Sequence, residues 1–363
     1  MAVASLRKGE IMQDRISSLL KLAIMAPSGD NCQPWRFAVN ASQIDLYNDP
    51  GADTSYYNYL QRASLVSHGA VLENIAIAAP TLGLKPVFQL FPDSDNQDYI
   101  AKITIEETTP SAVELAPFIE QRTTNRKKYS GSLLDDTQVA ALDPGHADLP
   151  KVSTFLTNTK NDLDALSNVI CLSDRLVFEF QPLHDFLFEH IRWTDEEAAR
   201  CRDGLDIKTL ELNTMDTLGF KLLKSWSFTR LAGRLGATKA IAGNARKLAA
   251  SASAIGVIIG QGAPSPITYL EGGRLMQRIW LQATKAGLSF HPMTGISFLM
   301  QRVSEQQAGE LSAKHHHLIQ DVVQTIASVS KIAEPVVIGI FRVGTSASPS
   351  AISLRKGLPE LTR

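Results

Sequence analysis

The segment of the chain best equipped for chemistry reads APSGDNCQPWRF and covers residues 26–37. It joins a hydroxyl group (Ser28), a flexible glycine (Gly29) and an amide (Asn31), and it enters a strand through Gln33. Such a loop offers backbone N–H groups and neutral side-chain donors without a formal charge, which suits the polar edge of a flat heterocycle. The same residue types are common in a plain helix-to-strand turn, so composition alone favours the plain turn.

The elements on either side of this loop are predicted from periodicity. Residues 11–25 carry an apolar stripe at helical spacing, and Pro27 ends that helix. Two short strands, WRFAVN and QIDLYN, follow the loop and are joined by a turn at Ala41 and Ser42. A second helix is predicted over about residues 62–81, and KPVFQLF and YIAKITIEE then predict two further strands.

A segment of the first half can be aligned with a segment of the second. Residues 68–84 match residues 272–288 without gaps, which pairs Gly69 with Gly273. Both segments are predicted helices that end at a Gly-Leu and lead into a strand. Two amphipathic helices can match by chance, so this alignment alone leaves an internal repeat and a coincidence equally open.

The second part of the chain has the pattern of a second α+β half. It predicts strands at VSTFLTN, ASAIGVIIG and PVVIGIFRVG, and helices near residues 134–142, 161–179 and 183–200. The two halves join near residues 106–121. Residues 193–250 are helical in composition and have no counterpart in the first half, so we expect an insertion that caps a site.

The loop sequence PSGDNCQPWRF closely resembles the PSxxNxQPWxF signature of the FMN-dependent nitroreductase superfamily. The matching positions are Pro27, Ser28, Asn31, Gln33, Pro34, Trp35 and Phe37. This number of matches decides against a plain turn. In that family FMN lies at the interface of a homodimer, and this loop contributes to the flavin that the other subunit mainly binds.

The family's second signature, RxSxR or RxSxK, is expected near the N-terminus but is absent ahead of residue 27. The run RTTNR at residues 122–126 resembles it instead, at the start of the second half, with Thr124 where the family has serine. The second half in turn lacks a PSxxNxQPW loop after its first helix. Each half lacks what the other supplies, which implies one complete FMN site and one vestigial site.

Two further segments of the second half resemble elements of the family. SFHPMTGI resembles the strand-end PxxG whose backbone N–H reaches flavin N5, and SLRKGLPE resembles a basic tail motif around the flavin phosphate. The positions assigned in this way are Pro292, Met293, Thr294, Gly295, Arg355 and Lys356.

The resemblance implies a role for each part of the site. Arg122, Thr124 and Arg355 would hold the phosphate, because fixed cations and hydroxyl groups bind phosphate well. Arg126 would stabilise the negative charge that reduction places near N1 and O2 of the ring. The N–H of Thr294 would set the polarity at N5, and no side chain is expected to act as a nucleophile. The full set of expected FMN contacts is Pro27, Ser28, Gly29, Asn31, Gln33, Arg122, Thr123, Thr124, Arg126, Pro292, Met293, Thr294, Gly295, Arg355 and Lys356.

The resemblance implies an α+β, nitroreductase-like fold in which two halves of one chain, related by a pseudo-twofold axis, replace the dimer. We place the halves at residues 11–110 and 118–360, with a helical insertion or lid at 193–250, and expect a monomer.

The implied activity is that of an FMN-dependent oxidoreductase. NADH or NADPH would reduce the flavin, and a nitroaromatic, quinone or similar small acceptor would then take two electrons in a ping-pong scheme. Two alternatives stay open: a flavin-sequestering or storage protein, and a specialised biosynthetic flavin oxidase or dehydrogenase.

Composition argues against several other classes of protein. The 363 residues carry 36 Lys+Arg and 37 Asp+Glu, so no basic surface for nucleic acid or an acidic membrane is expected. Three cysteines fit neither a disulfide framework nor a zinc site, and no targeting or membrane-spanning segment is apparent, so a cytoplasmic protein is expected. The motifs GxGxxG, GxxxxGK[ST], HExxH and GxSxG are absent.

Histidines give no metal site in this interpretation. The run HHH at residues 315–317 is expected to fan around a helix in solvent, because adjacent side chains on a helix cannot all face one ion. His291 immediately precedes Pro292, and a structural role and a place near the flavin are both open for it.

Overall fold

The strands and helices of the first half form in the order that periodicity predicts. The computed structural model of the protein describes residues 2–307 and 309–362. The first elements are α1 (Ala2–Ala23), β1 (Trp35–Asn40), β2 (Gln43–Asn48), α2 (Arg62–Ala78), β3 (Leu84–Leu90) and β4 (Tyr99–Glu107). The four strands form one antiparallel sheet in the order β1-β2-β4-β3. Phe37, Ile44 and Ile103 are fully buried, so one face of this sheet packs on the core.

The second half builds another four-stranded antiparallel sheet, in the order β5 (Val152–Thr157), β8 (Ala254–Gly260), β10 (Val336–Gly344) and β9 (Ser289–Pro292). Its elements are α3 (Asp136–Ala141), β5 (Val152–Thr157), α4 (Lys160–Val177), α5 (Gln181–His190), β6 (Ile191–Arg192), α6 (Asp195–Cys201), β7 (Leu205–Asp206), α7 (Thr214–Leu222), α8 (Trp226–Arg234), α9 (Ala237–Ala249), β8 (Ala254–Gly260), α10 (Pro266–Lys285), β9 (Ser289–Pro292), α11 (Gly295–Ser304), α12 (Ala313–Ser330), β10 (Val336–Gly344) and α13 (Leu358–Leu361). The strand before the central helix, the strand after it and the last strand of each half take equivalent places in the two sheets.

The two halves meet where α2 crosses α10, and two glycines allow the close approach. A Cβ atom on Gly69 would lie 2.0 Å from the carbonyl oxygen of Leu270, and one on Gly273 would lie 1.9 Å from that of Val66. The contact is reciprocal, because each glycine meets the residue three positions before the other. Reciprocal contacts of this kind are what a twofold axis produces.

Polar side chains beside the crossing repeat the same pattern. Arg278 Nε donates to Glu73 Oε1 at 2.6 Å, and Gln277 Nε2 donates to Asn74 Oδ1 at 2.7 Å. When Gly69 is aligned with Gly273, Glu73 corresponds to Gln277 and Asn74 to Arg278. The shared strand order and these reciprocal pairs are what a pseudo-twofold relation would produce, and the boundaries 11–110 and 118–360 stay predictions.

The main local difference from the sequence prediction lies at residues 183–200, where periodicity predicts one helix. The chain instead forms α5 and α6, separated by β6, which pairs in parallel with β7. Ile191 takes an extended conformation after α5, and Thr194 begins α6 by accepting a hydrogen bond from the Glu197 backbone N–H at 3.2 Å. The helix α4 lies at the predicted helix 161–179, and the insertion at residues 193–250 stays a prediction.

The expectation of a solvent-exposed histidine run is wrong for His315. This residue is buried, and its Nε2 lies 3.1 Å from the Glu179 carboxylate, because it belongs to the inward face of α12. His316 is half-buried, and His317 is exposed. Within residues 2–307 and 309–362, no group of three or more His, Cys, Asp or Glu side chains is arranged to hold a metal ion.

One helical stretch, Tyr59–Leu82, is long and apolar enough to cross a membrane by length and composition, which the sequence reasoning overlooked. In the folded protein 72% of its apolar window is buried. The stretch contains α2, which packs against α10, so its apolar character is explained by its central place in the core.

Candidate functional site

The loop that follows α1 is held in an unusual backbone conformation. Asp30, Asn31 and Gln33 have φ angles of 42°, 57° and 54°, in the left-handed region that costs energy for residues other than glycine. The Ser28 hydroxyl accepts a hydrogen bond from the Gln33 backbone N–H at 3.0 Å, which closes the loop. Asn31 and Gln33 are buried, so the surrounding protein holds this conformation in place.

The same loop binds the C-terminal segment of the chain. Arg355 Nη1 donates to Asn31 Oδ1 at 2.6 Å, and Asn31 Nδ2 donates to the Leu354 carbonyl oxygen at 2.9 Å. The Lys356 backbone N–H donates to Gln33 Oε1 at 2.9 Å. Two predicted segments, distant in sequence, therefore meet through the amides of the PSGDNCQPW loop.

Arg122 lies close to this junction and is almost completely buried. Its side chain stacks 4.3 Å above the Trp280 ring, and its Nη2 donates to the Met25 carbonyl oxygen at 2.8 Å. Burial, together with the nearby positive charge of Arg355, holds the pKa of Arg122 well below its ordinary value. The fold therefore holds this cation in surroundings that disfavour its charge.

Arg122 and Arg355 form a pair of like charges without a counter-ion. Burial lowers the pKa of Arg355 to about 10. The Nε atoms of both arginines are buried and have no hydrogen-bond partner. In the part of the chain that the structure describes, no carboxylate offsets either charge. Because buried charges and donors are costly when unpaired, this arrangement favours a bound anion.

A cavity of about 30 Å³ lies beside the two arginines. Its lining residues are Arg122, Thr123, Thr124, Arg126, Thr209, Ala351, Ile352, Ser353 and Arg355. At this size it holds about two water molecules. Five of the predicted contact residues therefore line one cavity, and Thr209 of the helical segment closes it.

The RTTNR run also connects this cavity to β9. Thr124 pairs with Phe290 in an isolated parallel bridge, and the Asn125 backbone N–H donates to the Phe290 carbonyl oxygen at 2.9 Å. Arg126 Nη1 donates to the Thr209 carbonyl oxygen at 3.2 Å. Burial lowers the pKa of Arg126, while the charges of Asp30 and Glu211 oppose that shift.

The PMTG segment lies at the junction of β9 and α11. The Met293 backbone N–H donates to the Ile340 carbonyl oxygen at 2.7 Å, which fixes the end of the strand. The N–H groups of Thr294 and Gly295 have no hydrogen-bond partner among the described residues, as is usual at the start of a helix. Both remain available to a polar ligand.

Asp30, Asp53 and His190 form a group that the sequence does not predict, and Asp30 of this group lies near Arg126. Burial and the nearby charge of Asp53 raise the pKa of Asp30, while His190 and Arg126 act against the rise. Burial also raises the pKa of Asp53. Asp30 occupies a variable position of the loop signature, and His190 lies at the end of α5, so no motif could identify them.

The segment from Arg202 to Thr209 covers the junction. Gln33 Nε2 donates to the Arg202 carbonyl oxygen at 2.8 Å, and Lys356 Nζ lies 3.1 Å from Asp203 Oδ2. The charge of Lys356 is therefore already paired, unlike the charges of Arg122 and Arg355.

Comparison with known proteins places these features in context. No family model matches the chain. The chain is 25% identical over 357 residues to "Uncharacterized protein MT1398" of Mycobacterium tuberculosis, which covers 93% of this chain and 47% of that protein. It is 30% identical over 119 residues to "Putative NAD(P)H nitroreductase Rv3131" of the same species, which covers 32% of this chain and 35% of that protein. Over that third of its length, the chain is similar to a protein named as a putative nitroreductase.

The chain spans about half the length of the first of these relatives and about a third of the second. Two solved structures are also similar: the FMN-dependent nitroreductase NfnB from Mycobacterium smegmatis in complex with NADPH, and a nitroreductase-like family protein from Bacillus cereus. The first has a TM-score of 0.38 and 11% identity and covers 69% of this chain and 97% of its own. The second has a TM-score of 0.33 and 13% identity and covers 69% of this chain and 95% of its own.

Proposed function

We propose that this nitroreductase-like chain binds FMN between Arg122 and Arg355 and transfers two electrons from NADH or NADPH to a small conjugated acceptor such as a nitroaromatic or a quinone. The observation that carries the proposal is the pair formed by the buried Arg122 and the half-buried Arg355, whose buried Nε donors are unpaired and whose charges no described carboxylate offsets. The names of the "Putative NAD(P)H nitroreductase" relatives support the donor and the reaction class.

The described residues fit the phosphate end of FMN better than its ring. Arginine and threonine side chains suit a phosphate dianion, since charge-assisted hydrogen bonds to phosphate are strong and arginine binds it in bidentate geometry. A cavity of about 30 Å³ is too small for the isoalloxazine ring. Entry of the ring therefore requires the covering segment from Arg202 to Thr209 to move outward.

Bound FMN would accept a hydride from reduced nicotinamide and pass the electrons to the acceptor. The chain would contribute position and charge. Arg126 would place a positive charge beside the ring, and the free N–H groups of Thr294 and Gly295 would orient one ring edge. Donor and acceptor would use the same face in turn, which is a ping-pong scheme.

A second candidate function is flavin sequestration, and the covering segment favours it. Gln33, Arg126 and Lys356, which are three of the proposed FMN contacts, each bind that segment directly. A cover held in this way would slow the access of a nicotinamide or an acceptor to the ring.

Anaerobic mixing separates the two functions. The protein loaded with FMN is mixed with NADH or NADPH, and the flavin absorbance is followed, with dithionite as a control for reducible flavin. A reductase loses the absorbance with at least one nicotinamide and regains it when a quinone is added. Retention of the absorbance with both nicotinamides, combined with bleaching by dithionite, would overturn the reductase proposal in favour of sequestration.

A further inference from the structure

His291 is attached to a fixed cation. It lies on β9 directly opposite Arg342 on β10, and Arg342 Nε donates to His291 Nδ1 at 3.2 Å. Arg342 is itself immobilised. Its Nη1 donates to the Leu248 carbonyl oxygen at 2.9 Å, its Nη2 donates to the Lys127 carbonyl oxygen at 2.9 Å, and its guanidinium stacks 3.9 Å above the Tyr129 ring.

This contact determines which nitrogen of His291 carries the proton. A guanidinium group only donates hydrogen bonds, so Nδ1 must accept and must be unprotonated. In a neutral imidazole the proton then lies on Nε2. Burial, with the charges of Arg342 and Arg126, holds the pKa of His291 well below its ordinary value. No carboxylate among the described residues counteracts this shift, so the ring stays neutral.

The Nε2–H group of His291 is left without a partner. No described residue forms a hydrogen bond with it, and His291 is half-buried. His291 directly precedes the PMTG segment, and Phe290 on its other side pairs with Thr124 of the cavity lining. This pairing, together with the effect of the Arg126 charge on the pKa of His291, places His291 beside the proposed FMN site.

We infer that His291 is a positioning residue of the proposed oxidoreductase, a neutral Nε2–H donor fixed by Arg342 that binds an oxygen atom of the ligand. The inference rests on the proposed function. The oxygen belongs to a carbonyl group of the flavin ring or to a carbonyl or nitro group of the acceptor. A neutral imidazole donates this hydrogen bond without giving up the proton, so His291 orients the ligand and transfers no proton.

The first test needs no cofactor. Nitrogen NMR of ¹⁵N-histidine-labelled protein, assigned with His291→Gln, reports which imidazole nitrogen is protonated. We expect a protonated Nε2 and an unprotonated Nδ1 for His291 from about pH 5 to pH 8. The ring-nitrogen signals of the exposed His317, recorded in the same spectra, serve as the internal reference. A proton on Nδ1, or titration of His291 in this range, would overturn the inference while leaving the FMN proposal intact.

The second test compares two variants of His291. The amide of His291→Gln can replace the donor, whereas His291→Leu has similar bulk and no donor. Loss of one hydrogen bond is expected to weaken the affected step about tenfold in the leucine variant, with most of the loss recovered in the glutamine variant. A higher Kd for FMN in the leucine variant assigns the bond to the flavin, and a higher KM for the acceptor alone assigns it to the acceptor.

A structural role gives a different result. If His291→Leu lowers the melting temperature but leaves the Kd for FMN and the acceptor KM unchanged, the inference is wrong. If the wild-type chain binds no FMN at all, the proposed function fails and this inference fails with it.

Discussion

At the scale of single residues, the basic side chains of the site differ in whether a carboxylate neutralises them. Arg355 reaches Asn31 and leaves its Nε unpaired, whereas the adjacent Lys356 forms an ion pair with Asp203. The sequence predicts both as phosphate ligands from one basic motif. It could not separate them, because Asp203 comes from the helical segment between β5 and β8, which no motif identifies.

This difference gives a prediction for two neighbouring substitutions. Arg355→Met removes an unpaired cation and is expected to weaken FMN binding about 10- to 100-fold, the usual worth of a charge-assisted hydrogen bond. Lys356→Met is expected to weaken it less than about threefold, because the lysine charge is already paired. Fluorescence titration of FMN measures both. Equal losses in the two variants would show that the pairing of Lys356 is irrelevant.

At the scale of elements, the strands were predictable because apolar and polar residues alternate along a half-buried strand. The observed β1, β2 and β4 coincide with the predicted strands WRFAVN, QIDLYN and YIAKITIEE. The break within residues 183–200 was not predictable, since β6 and β7 each contain two residues and exist only because they pair with each other. The crossing of α2 and α10 was visible only as an alignment of Gly69 with Gly273.

At the crossing of α2 and α10, a glycine-to-alanine substitution would raise the helix propensity but would disturb the packing of the two helices. Gly69→Ala should destabilise the protein by about 3 kcal/mol, because the new Cβ would lie 2.0 Å from a carbonyl oxygen of α10. Gly243→Ala on α9 is the matched control, since a Cβ there meets nothing within 4 Å. Alanine favours a helix over glycine by up to about 1 kcal/mol, so the control should be neutral or stabilising. Urea unfolding of both variants measures the difference, and a neutral Gly69→Ala would contradict the crossing.

Because His68 of α2 is buried, we expect the protein to lose stability in acid. Burial lowers the pKa of His68 to about 3, and its Nε2 lies 3.0 Å from Asn48 Oδ1. In the unfolded chain this pKa is about 6.5, so the unfolded state binds the proton more tightly. The contribution of neutral His68 to the free energy of unfolding is complete above about pH 6.5. It is lost as the pH falls towards 3, by up to about 1.4 kcal/mol per pH unit.

His68→Gln should remove this dependence, because the amide can still donate to Asn48. Between about pH 7 and pH 5, the wild type should lose about 2 kcal/mol more unfolding free energy than the variant. The exposed His317→Gln serves as the control and should behave as the wild type does. Identical pH profiles for His68→Gln and the wild type would contradict the neutral state of His68.

At the scale of the whole molecule, the site is assembled from distant parts of the chain. The loop after α1, the RTTNR run and the C-terminal segment meet at Arg122 and Arg355, and β9 pairs with the RTTNR run through Phe290. Motif resemblance could predict these four segments, but not that the segment from Arg202 to Thr209 covers them. The position of this segment depends on tertiary contacts such as the one between Gln33 and the Arg202 carbonyl oxygen. Such contacts produce no periodic pattern in the sequence.

The central claim is that one anion-binding cleft, at Arg122 and Arg355, holds FMN through its phosphate. Titration calorimetry of the wild-type chain with FMN and with riboflavin, which lacks the phosphate, tests this claim most directly. We expect one FMN per chain and an affinity for riboflavin that is lower by at least about tenfold. Two FMN molecules per chain, equal affinity for the two flavins, or no binding of FMN would contradict it.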